Sequence, residues 1–157
     1  MAVSTTPTGY HTLTMYLSVR NGVKAVEYYK QVFGAVEEMR MEIPDGKLAH
    51  AELKIGDSHI MLADENMEWG NKGPEALGGS PVGLALYVPD CDAVFAKAVA
   101  AGATVKKPLE NQFYGDRSGT ITDPFGHVWT ISTHIEDVSH AEMESRFQAM
   151  MKQMAAA

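Results

Sequence analysis

The sequence contains two copies of one pattern of strands and helices, and this repeat limits the possible folds more than any other feature. Met15–Val19 is a strand-like run, followed by a helical stretch that ends at Gly34. Leu84–Val88 is a second such run, and the helical stretch after it ends at Gly102, 68 residues beyond the first glycine. Glycine is typical of a helix C-terminus. The pattern therefore predicts a strand, a helix and three further strands in each half.

The same offset separates His59–Leu62 from His127–Thr130, which extends the repeat into the later strands. The later strands are expected at residues 36–43, 47–55 and 58–64, and again at 103–107, 117–122 and 127–134. Residues 65–81 contain four glycines and two prolines and are predicted to be a linker. We therefore expect a single domain over residues 1–138, with a first module at about 10–64 and a second at about 82–138.

Residues 139–157 are predicted to form a C-terminal amphipathic helix. Ser139 and Glu142 have the spacing of a capping box at its start. An apolar stripe follows at helical spacing and consists of Met143, Phe147, Met150, Met151 and Met154. This stripe either packs on its own domain or forms a dimer contact or a lid over a site.

The charge balance excludes several classes of partner. The chain has 13 basic and 20 acidic residues, a net charge of −7 and a pI near 5.3, so it lacks the basic surface that binding to nucleic acid requires. No apolar run approaches the roughly 20 residues of a membrane helix, and no signal-like leader is present. A single cysteine, Cys91, fits a reducing compartment. We expect a cytoplasmic protein without nucleic-acid or membrane partners.

Several segments resemble one known superfamily. The runs EYYKQVFGA and YGDRSGTITDPFGHVW, within the two tandem halves, are similar to the vicinal oxygen chelate superfamily, which includes glyoxalase I, bleomycin resistance proteins and extradiol dioxygenases. HAELKIGDSHIMLADE and THIEDV resemble more narrowly its PhnB-like branch, often labelled 3-demethylubiquinone methyltransferase-like. The resemblance implies an α+β fold in which two βαβββ modules form a curved mixed sheet with a central cleft.

The resemblance also implies where a divalent metal would bind. The corresponding positions on the first and last strands of each half are Thr14, Gly83, Thr130 and either Leu62 or Met61. None of these side chains is a dependable ligand for a divalent cation. No metal ligand and no cofactor is therefore expected, and a divalent metal at a displaced site is the alternative.

Alternation along residues 47–55 separates an apolar face from a polar face. The apolar face, expected to meet the helix, contains Ala49, Ala51, Leu53 and Ile55. His50, Glu52 and Lys54 share the other face, which lines the cleft in the resembled fold. His50 and Glu52 are therefore candidate catalytic residues for proton transfer. The alternative is a solvated or structural pair.

The matching faces of the other strands supply candidate ligand-binding residues, namely Thr14, Tyr16, Tyr87, Thr130 and His134. Tyr114 and Arg117 lie near a turn, where they either contact a ligand or, in the case of Arg117, form an ion pair with Asp116. Trp129 is expected to face the helices. His59 and His127 share its parity and are expected to be buried histidines.

These features favour a small-molecule-binding protein of the glyoxalase/bleomycin resistance fold that lacks the usual metal site, binds an organic ligand and forms a homodimer. The alternative is a metal-dependent or His/Glu-dependent lyase, isomerase or dioxygenase. A third possibility is a structural role through the C-terminal helix. A methyltransferase is not expected, because no glycine-rich turn follows a strand in the way that a nucleotide-like cofactor requires.

Overall fold

The computed structural model describes residues 3–156. Residues 1, 2 and 157 lie outside the described residues. The predicted domain begins at residue 1, and the predicted terminal helix ends at residue 157. The chain divides into two compact units. The first extends to Val82 and also includes Asp123–His127, and the second comprises Gly83–Thr122 and the residues from Val128 onward.

The first unit is a four-stranded sheet with a long helix. Its elements are β1 (Met15–Val19), α1 (Gly22–Phe33), β2 (Val36–Glu42), β3 (Leu48–Ile55), β4 (Ser58–Asp64) and the short α2 (Pro74–Leu77). The strand order is β1-β4-β3-β2. β1 pairs with β4 in parallel, whereas the β4-β3 and β3-β2 pairs are antiparallel.

The second unit repeats this arrangement and adds a terminal helix. Its elements are β5 (Gly83–Tyr87), α3 (Cys91–Ala100), β6 (Thr104–Asn111), β7 (Asp116–Thr122), β8 (Val128–His134) and α4 (His140–Ala156). The strand order is β5-β8-β7-β6, with β5 parallel to β8. The predicted α+β class, with two βαβββ modules and a C-terminal helix, is confirmed. β6 continues beyond its predicted end, and α2 lies within the predicted linker.

One helix buries one face of the first sheet. Val26, Tyr29 and Val32 of α1 are buried together with Leu53 and Leu62 of the sheet. Tyr29 donates a hydrogen bond from its hydroxyl to Asp123 Oδ2 at 2.8 Å, inside this apolar layer. Burial, together with the nearby Asp123 carboxylate, raises the pKa of Tyr29 well above its ordinary value. Tyr29 therefore remains a neutral donor.

The second sheet is covered by α3 in the same way. Cys91, Phe95 and Ala98 of this helix are buried, and the Phe95 ring packs against Gly119 of β7, where a Cβ would lie 2.6 Å from the ring. Trp129 of β8 is buried in this layer, as predicted. The one-sided burial of both sheets follows from the period of two along their strands.

The predicted apolar face of β3 is wrong at one position. Ala51, Leu53 and Ile55 are buried as expected, but Ala49 is exposed and Leu48 is buried in its place. The β2-β3 register skips a residue here, because Met41 pairs with His50 whereas Glu42 pairs with Leu48. A β-bulge at this point therefore reverses the face of the residues before it.

His59 is buried, as predicted, but on the opposite face from the one expected. It lies directly opposite Lys54 in the β3-β4 register, whereas the neighbouring pair Leu53 and Ile60 points to the helix. Its side chain therefore shares the polar face of β3. His127 is buried too, and its Nε2 lies 3.2 Å from the carbonyl oxygen of Ser18 within the first unit.

The C-terminal helix α4 begins where the capping box predicts, since the amide of Glu142 donates to Ser139 Oγ at 3.3 Å. Phe147 contacts the Phe113 ring, with centroids 5.7 Å apart, and Arg146 forms ion pairs with Glu136 and Glu142. None of the described α4 residues is buried. The homodimer stays a prediction. Within residues 3–156, no helix has both the length and the apolar character to cross a membrane.

Gly115, immediately before β7, is expected to tolerate no side chain. Its φ is +95°, and a Cβ would overlap the carbonyl oxygen of Glu136. Gly115→Ala should lower the free energy of unfolding by about 3 kcal/mol, through the left-handed backbone and this overlap combined. Gly46→Ala is the matched control, because its φ is +81° with open space around it, and it should cost about 1 kcal/mol. Urea denaturation of both variants provides the measurement, and equal losses would contradict the prediction.

Candidate functional site

The polar face of the first sheet brings three of the predicted site residues together. Tyr16 of β1 and Glu52 of β3 lie on either side of Met61 in the strand register. The Tyr16 hydroxyl lies 3.0 Å from His50 Nδ1, and His50 Nε2 lies 3.3 Å from Glu52 Oε1. A neutral imidazole with its proton on Nε2 satisfies both contacts, accepting from Tyr16 and donating to Glu52. His50 is thereby oriented between a phenol and a carboxylate.

Tyr10, which the sequence analysis did not single out, extends this network. Its hydroxyl donates to Glu52 Oε2, and its ring stacks on the His59 imidazole with centroids 4.1 Å apart. His59 Nε2 contacts Glu38 Oε2 at 2.9 Å, while His59 Nδ1 is buried without a partner among the residues that the structure describes. Leaving such an atom unpaired costs about 1–3 kcal/mol.

Hydrogen bonding fixes the charge of the two groups at the centre of the network. The hydrogen bond from Tyr10 is the largest influence that lowers the pKa of Glu52, and His50 lowers it further. The pKa of Tyr10 is raised to about 12 by burial and by Glu52. At neutral pH Glu52 is therefore a carboxylate that accepts a hydrogen bond from a neutral phenol.

A cavity of about 970 Å³ lies in the first unit beside this network, and Tyr16 is part of its wall. The start of α1, the turn before β3 and the loop after β4 supply most of the lining. Trp69 stands in that loop and is 79% exposed. Asn66 Oδ1 accepts hydrogen bonds from the amides of Glu68 and Trp69, and Asn66 also pairs with Asn71, so the loop has a defined shape.

The second unit holds a different polar cluster on its own sheet. Asp116 is only 4% exposed and accepts hydrogen bonds from the Tyr87 hydroxyl at 2.6 Å and from His134 Nδ1 at 2.7 Å. His134 Nε2 also contacts Asp137 at 3.0 Å. These carboxylates, Asp116 first, raise the pKa of His134. Alternation places Asp116 on the face of Ser118 and Thr120, so the sequence contained a signal for it.

The remaining predicted residues do not join either network. Arg117 forms a bidentate ion pair with Asp92 of α3, at 2.6 and 2.7 Å, so the predicted pairing with Asp116 is wrong. Alternation explains this, because Arg117 points to the helix side of β7. The Tyr114 hydroxyl lies 3.5 Å from Ser118 Oγ. Thr14, which is half-buried, precedes β1.

The side chains at the positions implied for a divalent metal do not fit one. Thr130 Oγ1 lies 3.2 Å from Thr120 Oγ1, and Gly83 has no side-chain donor. On β4 the position on the polar face is Met61, since Leu62 is fully buried on the helix side. Threonine and methionine are poor ligands for the hard and borderline cations that such sites hold. Among residues 3–156, no group of three or more His, Cys, Asp and Glu side chains is placed to hold a metal ion.

Comparison with known proteins identifies the family. The profile described as the glyoxalase/bleomycin resistance protein/dioxygenase superfamily matches residues 10–131. An uncharacterized protein of Mycobacterium bovis is 40% identical over 148 residues, which span 92% of this chain and 95% of its own. The chain therefore belongs to the glyoxalase/bleomycin resistance protein/dioxygenase superfamily.

Solved structures share the fold. The Arabidopsis thaliana gene product At5g48480 is 29% identical, with a TM-score of 0.62 over 78% of this chain and 98% of that one. A Bacillus cereus protein, described as a putative 3-demethylubiquinone-9 3-methyltransferase and PhnB protein, is 18% identical, with a TM-score of 0.62 over 78% of this chain and 99% of that one. At such low identity, the second likeness concerns the fold alone.

His134 should titrate above the ordinary histidine pKa of 6.5. A pKa raised in the folded state contributes stability below the unfolded value, and this contribution is lost as the pH rises through the folded value. The stability difference between wild type and His134→Gln should therefore be larger at pH 5.5 than at pH 9. Urea denaturation measures this difference, and NMR titration of Asp116→Asn should show a lowered pKa for His134. His11→Ala, at an exposed position, is the control. A pH-independent difference would contradict the assignment.

Proposed function

We propose that this chain binds a small organic molecule in its first unit, with Tyr16 supplying a polar contact, with His50 and Glu52 in the network behind its hydroxyl, and without a divalent metal at the family position. The observation that carries the proposal is the cavity of about 970 Å³ with Tyr16 in its wall. A cavity of this size suits a ligand of a few hundred daltons, because small-molecule sites occupy roughly 300–1,000 Å³.

The lining of the cavity favours an organic ligand over a bare ion. Trp69, Met67 and Ile43 are exposed large apolar side chains that line it. Tyr16 adds an aromatic wall whose hydroxyl is already oriented by His50. Sites of this kind combine apolar surface for affinity with a few fixed polar groups for orientation. The ligand we propose therefore has an apolar body and at least one hydrogen-bonding group.

Native mass spectrometry of the purified protein, combined with metal analysis after anaerobic purification, tests the proposal. We expect an organic molecule to be bound, and retention to fall at least tenfold in Trp69→Ala and His50→Ala because the aromatic wall or the polar contact is lost. His11→Ala should retain the ligand. The metal-free site would be rejected if the protein contained stoichiometric zinc, nickel, manganese or iron. The metal binding would in that case be abolished by Thr14→Ala or Thr130→Ala but not by His50→Ala.

Trp69 also offers a direct signal for binding. Trp129 is buried in the second unit. A change in tryptophan fluorescence on addition of a ligand that is absent from Trp69→Phe therefore reports on the cavity. The ligands to screen are neutral aromatic and aliphatic alcohols, amides and lactones, and saturable quenching is the expected result. If emission changes persist in Trp69→Phe, the ligand binds elsewhere and the cavity is not its site.

A second candidate function is catalysis by the same residues, as a lyase or isomerase. It is favoured by the geometry, because the Glu52 carboxylate lies beside an imidazole that contacts both Glu52 and Tyr16. Once a ligand is known, its turnover should fall at least 100-fold in Glu52→Gln while binding changes less than tenfold. Full turnover in Glu52→Gln would leave binding alone as the function.

Membership of the PhnB-like branch and a cytoplasmic location are further parts of the proposal. The first is supported by the motifs THIEDV and YGDRSG, which resemble that branch. The second is supported by the single cysteine, Cys91, which is buried. The methyltransferase activity named for the Bacillus protein is not carried over, because the chain lacks a glycine-rich turn after a strand.

A further inference from the structure

The segment before β1, residues 3–14, contacts the polar face of the first sheet through Tyr10. The Tyr10 ring lies nearly parallel to the His59 imidazole, at 18°, and its hydroxyl donates to Glu52. Val3 and Leu13 of the same segment are 93% and 80% exposed, so these apolar side chains add little to its attachment. One stacked ring and one hydrogen bond at Tyr10 therefore help to hold this segment on the sheet, and Gly9 also lies close to the His59 ring.

The groups that bind Tyr10 form a complete recognition site for a phenol. The His59 side chain is 3% exposed and presents a flat ring face, while Glu52 supplies a charged acceptor at the hydroxyl end. His50 in turn contacts the other oxygen of Glu52 and fixes its orientation. His59 Nδ1 is buried and has no partner among the residues that the structure describes, so Tyr10 does not satisfy every polar group at this place.

We propose that Tyr10 is an internal stand-in for the ligand, and that a neutral phenol or hydroxy-heteroaromatic ring displaces it from the place between His59 and Glu52. The inference rests on the proposed function, because Glu52 and His50 belong to the same network, and it adds the chemical class of the ligand. The class is neutral because Glu38 and Glu52 both face the site and would repel a phenolate or a carboxylate. Tyr10 itself is neutral here, as its raised pKa indicates.

The probe is p-cresol, which is the tyrosine side chain as a free molecule, and binding is measured by isothermal titration calorimetry. Tyr10→Ala should bind p-cresol about tenfold more tightly than wild type, because in wild type only molecules whose Tyr10 has left the site can bind. His11→Ala changes an exposed neighbour in the same segment and should bind as wild type does. Benzoate, an anion of similar size, should bind to none of these proteins.

A second pair of variants tests the acceptor. Glu52→Gln in the Tyr10→Ala background should lose about tenfold in p-cresol affinity, because a charged acceptor is replaced by a neutral one. Lys54→Ala in the same background is the matched control on the same face of β3 and should have no effect. Addition of p-cresol to Tyr10→Ala should also shift the ring protons of His59 in NMR spectra, since an aromatic ring is restored above the imidazole.

Three results overturn the inference. The first is a p-cresol affinity in Tyr10→Ala equal to that of wild type, and the second is benzoate binding as tightly as p-cresol. The third is loss of folding in both Tyr10→Ala and Tyr10→Leu, since a side chain that a ligand displaces cannot be essential to the fold. If a ligand quenches Trp69 in the wild-type protein but Tyr10→Ala does not gain affinity for p-cresol, this inference is rejected and the proposed function stands. If no ligand binds to the wild-type protein but Tyr10→Ala does gain affinity for p-cresol, the proposed function is rejected.

Discussion

Each four-stranded sheet of this protein has one face buried under a single helix, and this one-sided burial determines where the polar side chains lie. On the helix side, Leu53, Leu62 and Ile131 are fully buried and exclude water. Strand alternation then sends the intervening residues to the other face. His50 and Glu52 lie there because their neighbours are needed in the core.

Sequence periodicity predicted the fold well because burial on one face leaves a clear pattern of two along each strand and a repeat between the halves. The same reasoning placed His50, Glu52 and Tyr16 on one face. It failed at the bulge beside Ala49, which has no local sequence signal. It also left Leu62 and Met61 undecided, because the register slips by one residue between the halves. Tyr10 was missed because its partner, Glu52, is 42 residues away.

The polar clusters of the two units use the same kinds of group in a different order. In the first, the imidazole of His50 lies between a phenol and a carboxylate. In the second, the carboxylate of Asp116 lies between the phenol of Tyr87 and an imidazole. In the first order the carboxylate of Glu52 also accepts a hydrogen bond from Tyr10. The second keeps the carboxylate buried and raises the pKa of the histidine. Repetition of the fold has therefore not repeated the chemistry.

The edge of the second sheet has a consequence for solubility. Within residues 3–156, β6 is the last strand in the order β5-β8-β7-β6 and pairs with β7 on one side only. Pro108 lies in the middle of β6, within the register shift between Lys107 and Glu110, and has no amide hydrogen to donate. The charged neighbours Lys106 and Lys107 add a desolvation cost to any strand that approaches. This edge thus resists the strand addition through which open sheets aggregate, so the chain can keep an uncapped sheet at high concentration.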